Sequence, residues 1–187
     1  MRVGRAGVLA AALAALAAPA APQQLVPAQS EVTFTSRQMG VPVEGRFGRF
    51  DAKMVFDPRQ PEGGHVTITI DVGSARFGAP ETDAEVPKPV WFHLAKFPQA
   101  TFESSSIKAV GAGRYDVAGR LTLKGRARDV VVPVTLAFGT PYAMASGSFT
   151  LRRLDFAIGD GEWADTSLVA NDVQVHFKLA LAGLPPS

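Results

Sequence analysis

The chain has 187 residues, of which 47% are hydrophobic, with 18 Gly, 14 Pro and no Cys. This composition excludes a collagen, a disulfide-stapled miniprotein and a disordered chain. The formal net charge of +2 is too small to create a field that collects nucleic acid or anionic membrane.

The first twenty residues have the features of a secretory leader. Arg2 and Arg5 precede an apolar run over residues 7–18, which is too short to span a bilayer. A small-x-small motif ends at Ala20, so we expect a signal peptide over residues 1–20 and one domain over residues 21–187. The leader holds two of the 19 basic residues, which leaves 17 basic against 17 acidic residues. The sequence therefore predicts a neutral, soluble protein of the periplasm.

Apolar and polar residues alternate with a period of two through most of the remaining chain, which predicts strands with one buried face. The first strand covers residues 31–37, and a second, long strand covers about residues 43–56. The apolar positions of the second strand change phase near Gly48, so we predict a β-bulge there. The third strand has its inward face at residues 66–72.

Five more strands follow, separated by turns at Gly111 to Gly113 and at Lys124-Gly125. Their apolar faces lie at residues 100–102, 115–123, 130–138, 143–158 and 173–181. Pro133 cannot donate to a ladder, so it should lie at a bulge or an open seam. The phase changes again at Arg152-Arg153, which predicts a second bulge.

Eight antiparallel strands with short connections predict an all-β fold closed as an up-and-down barrel, because closure removes exposed edges. Residues 85–96 break the pattern and predict a loop with a short helix, and residues 165–171 predict a second helical turn. A barrel of eight strands either holds one small ligand or is filled by side chains. Two Tyr and two Trp are too few for the girdles of a membrane-spanning barrel.

A series of motifs runs through the chain in the order of a known family. They include Ser30-Glu31-Val32-Thr33-Phe34, Gly45-Arg46-Phe47, Phe56-Asp57-Pro58, Lys96-Phe97-Pro98-Gln99-Ala100-Thr101-Phe102 and Leu154-Asp155-Phe156. Together they resemble the YceI-like, polyisoprenoid-binding family. The resemblance implies a lipocalin-like barrel in the periplasm, without enzymatic activity, whose apolar cavity accepts the tail of an isoprenoid lipid or quinone.

A second resemblance concerns a subgroup of that family. Residues 81–85, 88–92 and 159–163 resemble members associated with cytochrome b561-type membrane proteins. This implies a quinone or electron-transfer context, with such a cytochrome as the partner.

The predicted site follows from the needs of a polyprenyl tail, whose burial gains about 25 cal/mol per Å² of apolar surface. Through the resemblance, inward aromatic residues are predicted to line the tube or close one end: Phe34, Phe50, Trp91, Phe92, Tyr115, Phe149 and Phe177. Any one of them would more often be ordinary core, and the set favours a cavity through the resemblance. The residues predicted to hold a head group near the mouth are Arg37, Lys88 and His93.

Motifs for catalysis or metal binding are poor. The three histidines, His65, His93 and His176, have no zinc-binding spacing, and there is no Cys to complete a site. Acidic residues cluster over residues 155–165 but lack the alternating ligands of a calcium loop. Lys124 belongs to a basic turn that we expect to be solvated, with contact to an anionic head group or a membrane surface as the alternative. We predict a binding protein with no catalytic residue, cofactor or metal.

The competing function is an interaction module. Its barrel would be packed solid, and its loops at residues 81–89 and 160–165 would dock on a membrane cytochrome. The sequence does not determine whether the barrel is hollow, so this alternative stays open.

Overall fold

Eleven strands form one antiparallel sheet within residues 22–185, the part of the chain that the computed structural model describes. The predicted leader and its cleavage site lie outside this range. The strands are β1 (Gln23–Leu25), β2 (Glu31–Gln38), β3 (Val41–Phe47), β4 (Phe50–Val55), β5 (His65–Asp71), β6 (Ala75–Arg76), β7 (Gln99–Gly111), β8 (Arg114–Leu123), β9 (Arg126–Ala137), β10 (Ala143–Arg152) and β11 (Asp172–Ala182). One short α-helix in these residues, α1, covers Pro80–Asp83.

Eight of the strands close into a barrel in the order β1-β4-β5-β7-β8-β9-β10-β11, and β11 pairs back with β1. β2, β3 and β6 extend the sheet from β11. The first part of β11 pairs with β2, and its last residues pair with β1. The predicted all-β barrel of eight antiparallel strands with a short helix is confirmed.

The alternation of side chains explains why these segments are strands. In β8, burial alternates along the strand, and the buried apolar residues share one parity: Tyr115, Val117, Leu121 and Leu123. The β8–β9 hairpin turns at Lys124 and Gly125, whose φ angles are +49° and +71°, as a tight hairpin turn requires. The predicted turn at this dipeptide is therefore present.

Both predicted bulges are wrong. The chain breaks at residues 48–49 into β3 and β4, because β3 pairs with β2 and β6 whereas β4 pairs with β1 and β5. β10 ends at Arg152, and a 3-10 helix over Arg153–Phe156 follows. A register shift does occur in β7, between Ser104 and Ser106.

Three other local predictions have different outcomes. The β9–β10 ladder ends at Val134, next to Pro133, so the seam beside that proline is open as predicted. The position of the short helix predicted within residues 85–96 is wrong, because these residues form successive turns and α1 lies earlier, at Pro80–Asp83. Residues 161–164 form a 3-10 helix just before the predicted helical turn at 165–171.

Two loops cover one end of the barrel, residues 84–97 and residues 153–170, and we call them the cap. Trp91, Phe92 and Leu94 from the first loop pack with Phe156 and Ile158 from the second loop against the adjacent strand ends. A larger apolar cluster occupies the rest of the barrel. None of the helices in residues 22–185 has the length and hydrophobicity that crossing a bilayer requires.

Candidate functional site

A cavity of about 160 Å³ lies inside the barrel. Its lining comes mainly from β2, β4, β5 and β7 to β11, and only Thr101 and Tyr115 among the lining residues carry a polar side-chain atom. An apolar cavity of roughly 150 Å³ in another protein stays dry and binds benzene. The space inside this barrel therefore suits a hydrocarbon and offers water almost no hydrogen-bonding partner.

The inner wall itself shows that the barrel is hollow. Ile68, Ile70, Val134 and Phe177 face the interior, yet each is only partly buried. In a solid core such side chains would be covered by their neighbours, because protein interiors are close-packed. Part of the surface of each thus stays uncovered although the residue lines the cavity.

Three of the seven predicted aromatic residues border this space. Tyr115, Phe149 and Phe177 lie on β8, β10 and β11 and line the cavity. Phe177 is directly opposite Gly147, and a Cβ at Gly147 would come within 2.6 Å of the Phe177 ring. The glycine thus provides the room in which this ring lies. The binding role of the three residues stays a prediction.

The other four predicted aromatic residues lie away from the lining. Phe34 packs against the rings of Phe47 and Phe77, with centroids 5.0 and 5.2 Å away. Phe50 packs against the larger core cluster, while Trp91 and Phe92 belong to the cap.

Sequence reasoning passed over the aliphatic residues that make most of the cavity wall. They include Ile68, Ile70, Leu121, Val132 and Leu179. Their inward parity is visible in the sequence, but the predicted lining consists of aromatic residues alone.

The three predicted head-group residues do not form one group. Arg37 is exposed at the β2–β3 turn, where its Nη1 donates to the carbonyl oxygen of Gly40 at 3.2 Å. Lys88 is exposed in the cap and pairs with Glu85 at 2.5 Å. His93 is partly buried in the same loop, with its ring edge-on to Phe97.

Arg153, which sequence reasoning assigned to a bulge, is the most buried charged residue described, at 2% exposure. All five N–H donors of its guanidinium bind backbone carbonyls, at 2.5 to 3.0 Å. The acceptors are Ile158, Gly159, Trp163, Val169 and Ala170. Burial lowers the pKa of Arg153, but a guanidinium keeps its charge in proteins. The side chain thereby fixes the second cap loop around itself.

Lys124 connects the β8–β9 turn to both cap loops. Its Nζ donates to the carbonyl oxygen of Val90 at 3.2 Å and to that of Ala157 at 2.6 Å. The expectation of a solvated turn was wrong for this residue, which is partly buried. Burial lowers the pKa of Lys124, and the charge of Asp160 partly opposes that effect.

Trp91 carries an unpaired donor in the cap. Among the side chains described in residues 22–185, its Nε1 is the one buried nitrogen or oxygen atom with no hydrogen-bond partner. Leaving such a donor unpaired costs about 1–3 kcal/mol. The ring lies 5.6 Å from that of Trp163, and Gly159 has φ +63° where a Cβ would come 2.7 Å from Trp91.

Charged groups elsewhere do not assemble a metal site. Within residues 22–185, no three His, Cys, Asp or Glu side chains come together as metal ligands would. In the acidic segment, Asp165 accepts hydrogen bonds from the backbone N–H and the hydroxyl of Ser167. These bonds lower the pKa of Asp165, with the hydroxyl as the larger cause, and they mark a turn.

Comparison with known proteins gives a family and several solved structures. The family described as YceI-like domain matches residues 23–181. The crystal structure of Burkholderia cenocepacia BcnA has a TM-score of 0.81 and 42% sequence identity, covering 83% of this chain and 98% of that one. A polyisoprenoid binding domain from Saccharophagus degradans shares the fold, with a TM-score of 0.68, at 17% identity over 87% of this chain and 98% of that one.

Two curated relatives are UPF0312 proteins. A UPF0312 protein of Ectopseudomonas mendocina is 33% identical over 120 residues, which are 61% of this chain and 63% of the relative. One of Pseudomonas aeruginosa is 34% identical over 120 residues, 61% of this chain and 62% of the relative. The chain thus spans less than two thirds of the length of these relatives.

Proposed function

The chain belongs to the YceI-like domain family, and on that premise we propose that it is a periplasmic carrier that binds an isoprenoid lipid or quinone without catalysing a reaction. The observation that carries this proposal is the cavity, whose lining holds only two residues with a polar side-chain atom. The name of the Saccharophagus degradans domain of the same fold, polyisoprenoid binding, supports this ligand class. The periplasmic location depends on the leader at residues 1–20.

The apolar lining makes the tail the main source of affinity. Each buried CH₂ gains about 0.8 kcal/mol, so the ten carbons of two isoprene units gain about 8 kcal/mol. Loss of translational and rotational freedom offsets part of this gain. A head group therefore contributes mainly orientation and discrimination.

The cavity volume limits how much of the tail enters without rearrangement. A space of about 160 Å³, near the size that accepts benzene, cannot contain a long polyprenyl chain. Longer tails require the partly buried Phe102, Phe149 and Phe177 to turn aside or the tail to extend beyond the barrel. Carriage of a long lipid thus depends on movement of these rings.

The test is native mass spectrometry of the protein purified from the periplasm, followed by organic extraction of what it releases. A stoichiometric polyprenyl lipid or quinone supports the proposal and identifies the ligand. Protein at its apo mass that also takes up no added polyprenyl lipid contradicts it. Recovery in the cytoplasm with the leader intact contradicts the proposed location.

The alternative, an interaction module that docks on a membrane cytochrome, assumed a barrel packed solid. The cavity supports the carrier instead. Capture of a membrane cytochrome by a protein that refuses lipid would favour the docking function.

A further inference from the structure

Backbone strain concentrates at the cap. Among residues 22–185, four residues other than glycine have φ between +47° and +53°: His93 and Ala157, Lys124 in the β8–β9 turn, and Met39. His93 and Ala157 lie in the cap loops, and Lys124 donates to the carbonyl of Ala157. Left-handed backbone at such residues is unfavourable and is concentrated at functional sites in proteins.

Two hydrogen-bond donors in the same region are uncommitted. The guanidinium of Arg153 has no donor left, because five carbonyls occupy its five N–H groups. The ammonium of Lys124 has three N–H groups and binds two carbonyls, and the Nε1–H of Trp91 binds none. Val90, whose carbonyl Lys124 binds, directly precedes Trp91, so both donors belong to one part of the cap.

The cap is continuous with the cavity. Trp91 packs in the cluster that also contains Ile70, Phe102 and Phe149, and these three residues line the cavity. The cap cluster and the cavity wall therefore share these three side chains. Lys124 brings an ammonium group to this end, with Asp160 close enough to act on its charge, and a charged N–H donor binds an electron-rich oxygen strongly.

We propose that the cap is the polar end of the ligand site, where Trp91 Nε1–H and Lys124 Nζ donate hydrogen bonds to an oxygen of the ligand head group. This inference rests on the proposed function and adds the position and chemistry of the head-group subsite. The ligand class is an isoprenoid whose head carries an accepting oxygen, either a quinone carbonyl or a phosphate. The exposed Arg37 at the β2–β3 turn has no part in this subsite.

The first experiment compares three probes with the same tail by isothermal titration calorimetry of the delipidated protein. The probes are geranylbenzoquinone, geranylbenzene without the two ring oxygens, and geranyl diphosphate. Trp91→Phe removes the N–H and keeps an aromatic ring, and Trp163→Phe is the matched control because its ring lies beside that of Trp91. We expect Trp91→Phe to weaken the quinone about tenfold, as loss of one neutral hydrogen bond does, and to leave geranylbenzene unchanged.

Lys124→Met distinguishes a quinone head group from a phosphate head group. A larger loss for the diphosphate than for the quinone would identify an anionic head group, because charge-assisted bonds are the stronger ones. Equal affinity of wild type and Trp91→Phe for both oxygen-bearing probes would overturn the proposal. Failure of wild type to bind any of the three probes would instead overturn the proposed function.

A second experiment measures binding to the wild-type protein by NMR and uses a variant only to assign a resonance. The chain has two Trp, so protein labelled with ¹⁵N-Trp gives two indole N–H resonances, and Trp91→Phe identifies one of them. We expect the quinone to move the Trp91 proton downfield, as a new hydrogen bond does, and geranylbenzene to move it far less. The same shift with both probes would contradict a hydrogen bond to the head group.

Discussion

Two neighbouring alanines on the inner face of β10 offer a sharp test of whether the barrel is hollow. Ala145 and Ala143 are both buried, with 7% and 4% exposure, and only Ala145 lines the cavity. Replacement of either residue by Leu adds three carbon atoms to the interior. At Ala145 these atoms enter empty space, whereas at Ala143 they must displace packed neighbours.

The expected changes in the free energy of unfolding have opposite signs. Cavity volume costs about 24 cal/mol per Å³, so the 160 Å³ here corresponds to about 4 kcal/mol. If the new side chain fills about half of it, Ala145→Leu gains about 2 kcal/mol, less about 0.5–1 kcal/mol of side-chain entropy. Overpacking by Ala143→Leu costs about 1–3 kcal/mol.

Urea unfolding of the delipidated variants measures both values, and an unchanged m-value shows that the unfolded state is the same. For a domain of this size, a gain of 1–2 kcal/mol raises the melting temperature by roughly 2–8 °C. The same substitution should weaken uptake of a polyprenyl lipid, because it removes space that the tail would occupy. Destabilisation of both variants alike would refute the hollow barrel, and unchanged lipid uptake by a stabilised Ala145→Leu would refute its role as the binding space.

Three further predictions follow from described contacts. Phe177→Arg should abolish binding of geranylbenzene whereas His176→Ala, on the outer face of the same strand, should not; equal losses with intact folds would contradict the assignment of faces. Arg153→Met should lower the free energy of unfolding by at least about 3 kcal/mol in urea, because it removes the donors of five backbone carbonyls, three of them buried; a smaller loss would show that water replaces the guanidinium. Hydrogen bonds from Ser167 lower the pKa of Asp165 below the ordinary value of 3.8. The ionised carboxylate therefore stabilises the fold above pH 3.8, and this stabilisation is lost as the pH falls through the lowered pKa. Ser167→Ala should return the pKa measured by NMR toward 3.8, and an unchanged value would contradict this cause.

The strands were predictable because one face of each is buried. The inward residues of β8 and β11 keep one parity over their length, and that parity alone indicates which side chains face the interior. At residues 48–49 and at Arg152, a change of parity was interpreted as a bulge. A strand end gives the same local signal, and only the choice of distant partners, such as β1 and β5 for β4, distinguishes the two.

The register shift between Ser104 and Ser106 in β7 was not predictable, because the sequence shows no change of parity there. Ser104, Ser105 and Ser106 give no hydrophobic phase that would reveal a change of parity. Ser104 is buried, and its Oγ accepts from the backbone N–H of Val66, 38 residues away in the chain, at 2.8 Å.

The site was predictable in kind and only partly in residues. The apolar inward faces indicated an apolar interior, but a list of inward residues does not reveal whether side chains from opposite walls of the barrel touch. The role of Arg153 had no local signal, since a charged residue is ordinarily exposed. Its five acceptors come from a loop that folds around it, a tertiary arrangement that a sequence pattern does not contain.

The pairing of β11 with both β1 and β2 has a consequence for how the chain folds. The backbone N–H of Ala180 donates to the hydroxyl of Ser30, 150 residues earlier, and β1 meets the end of β11. Contacts of such high sequence separation make folding slow, in the range of milliseconds to seconds. Until the last strand docks, the edges of β2 and β10 stay open to pairing with other chains, so the interval before ring closure is when this protein is most prone to aggregate.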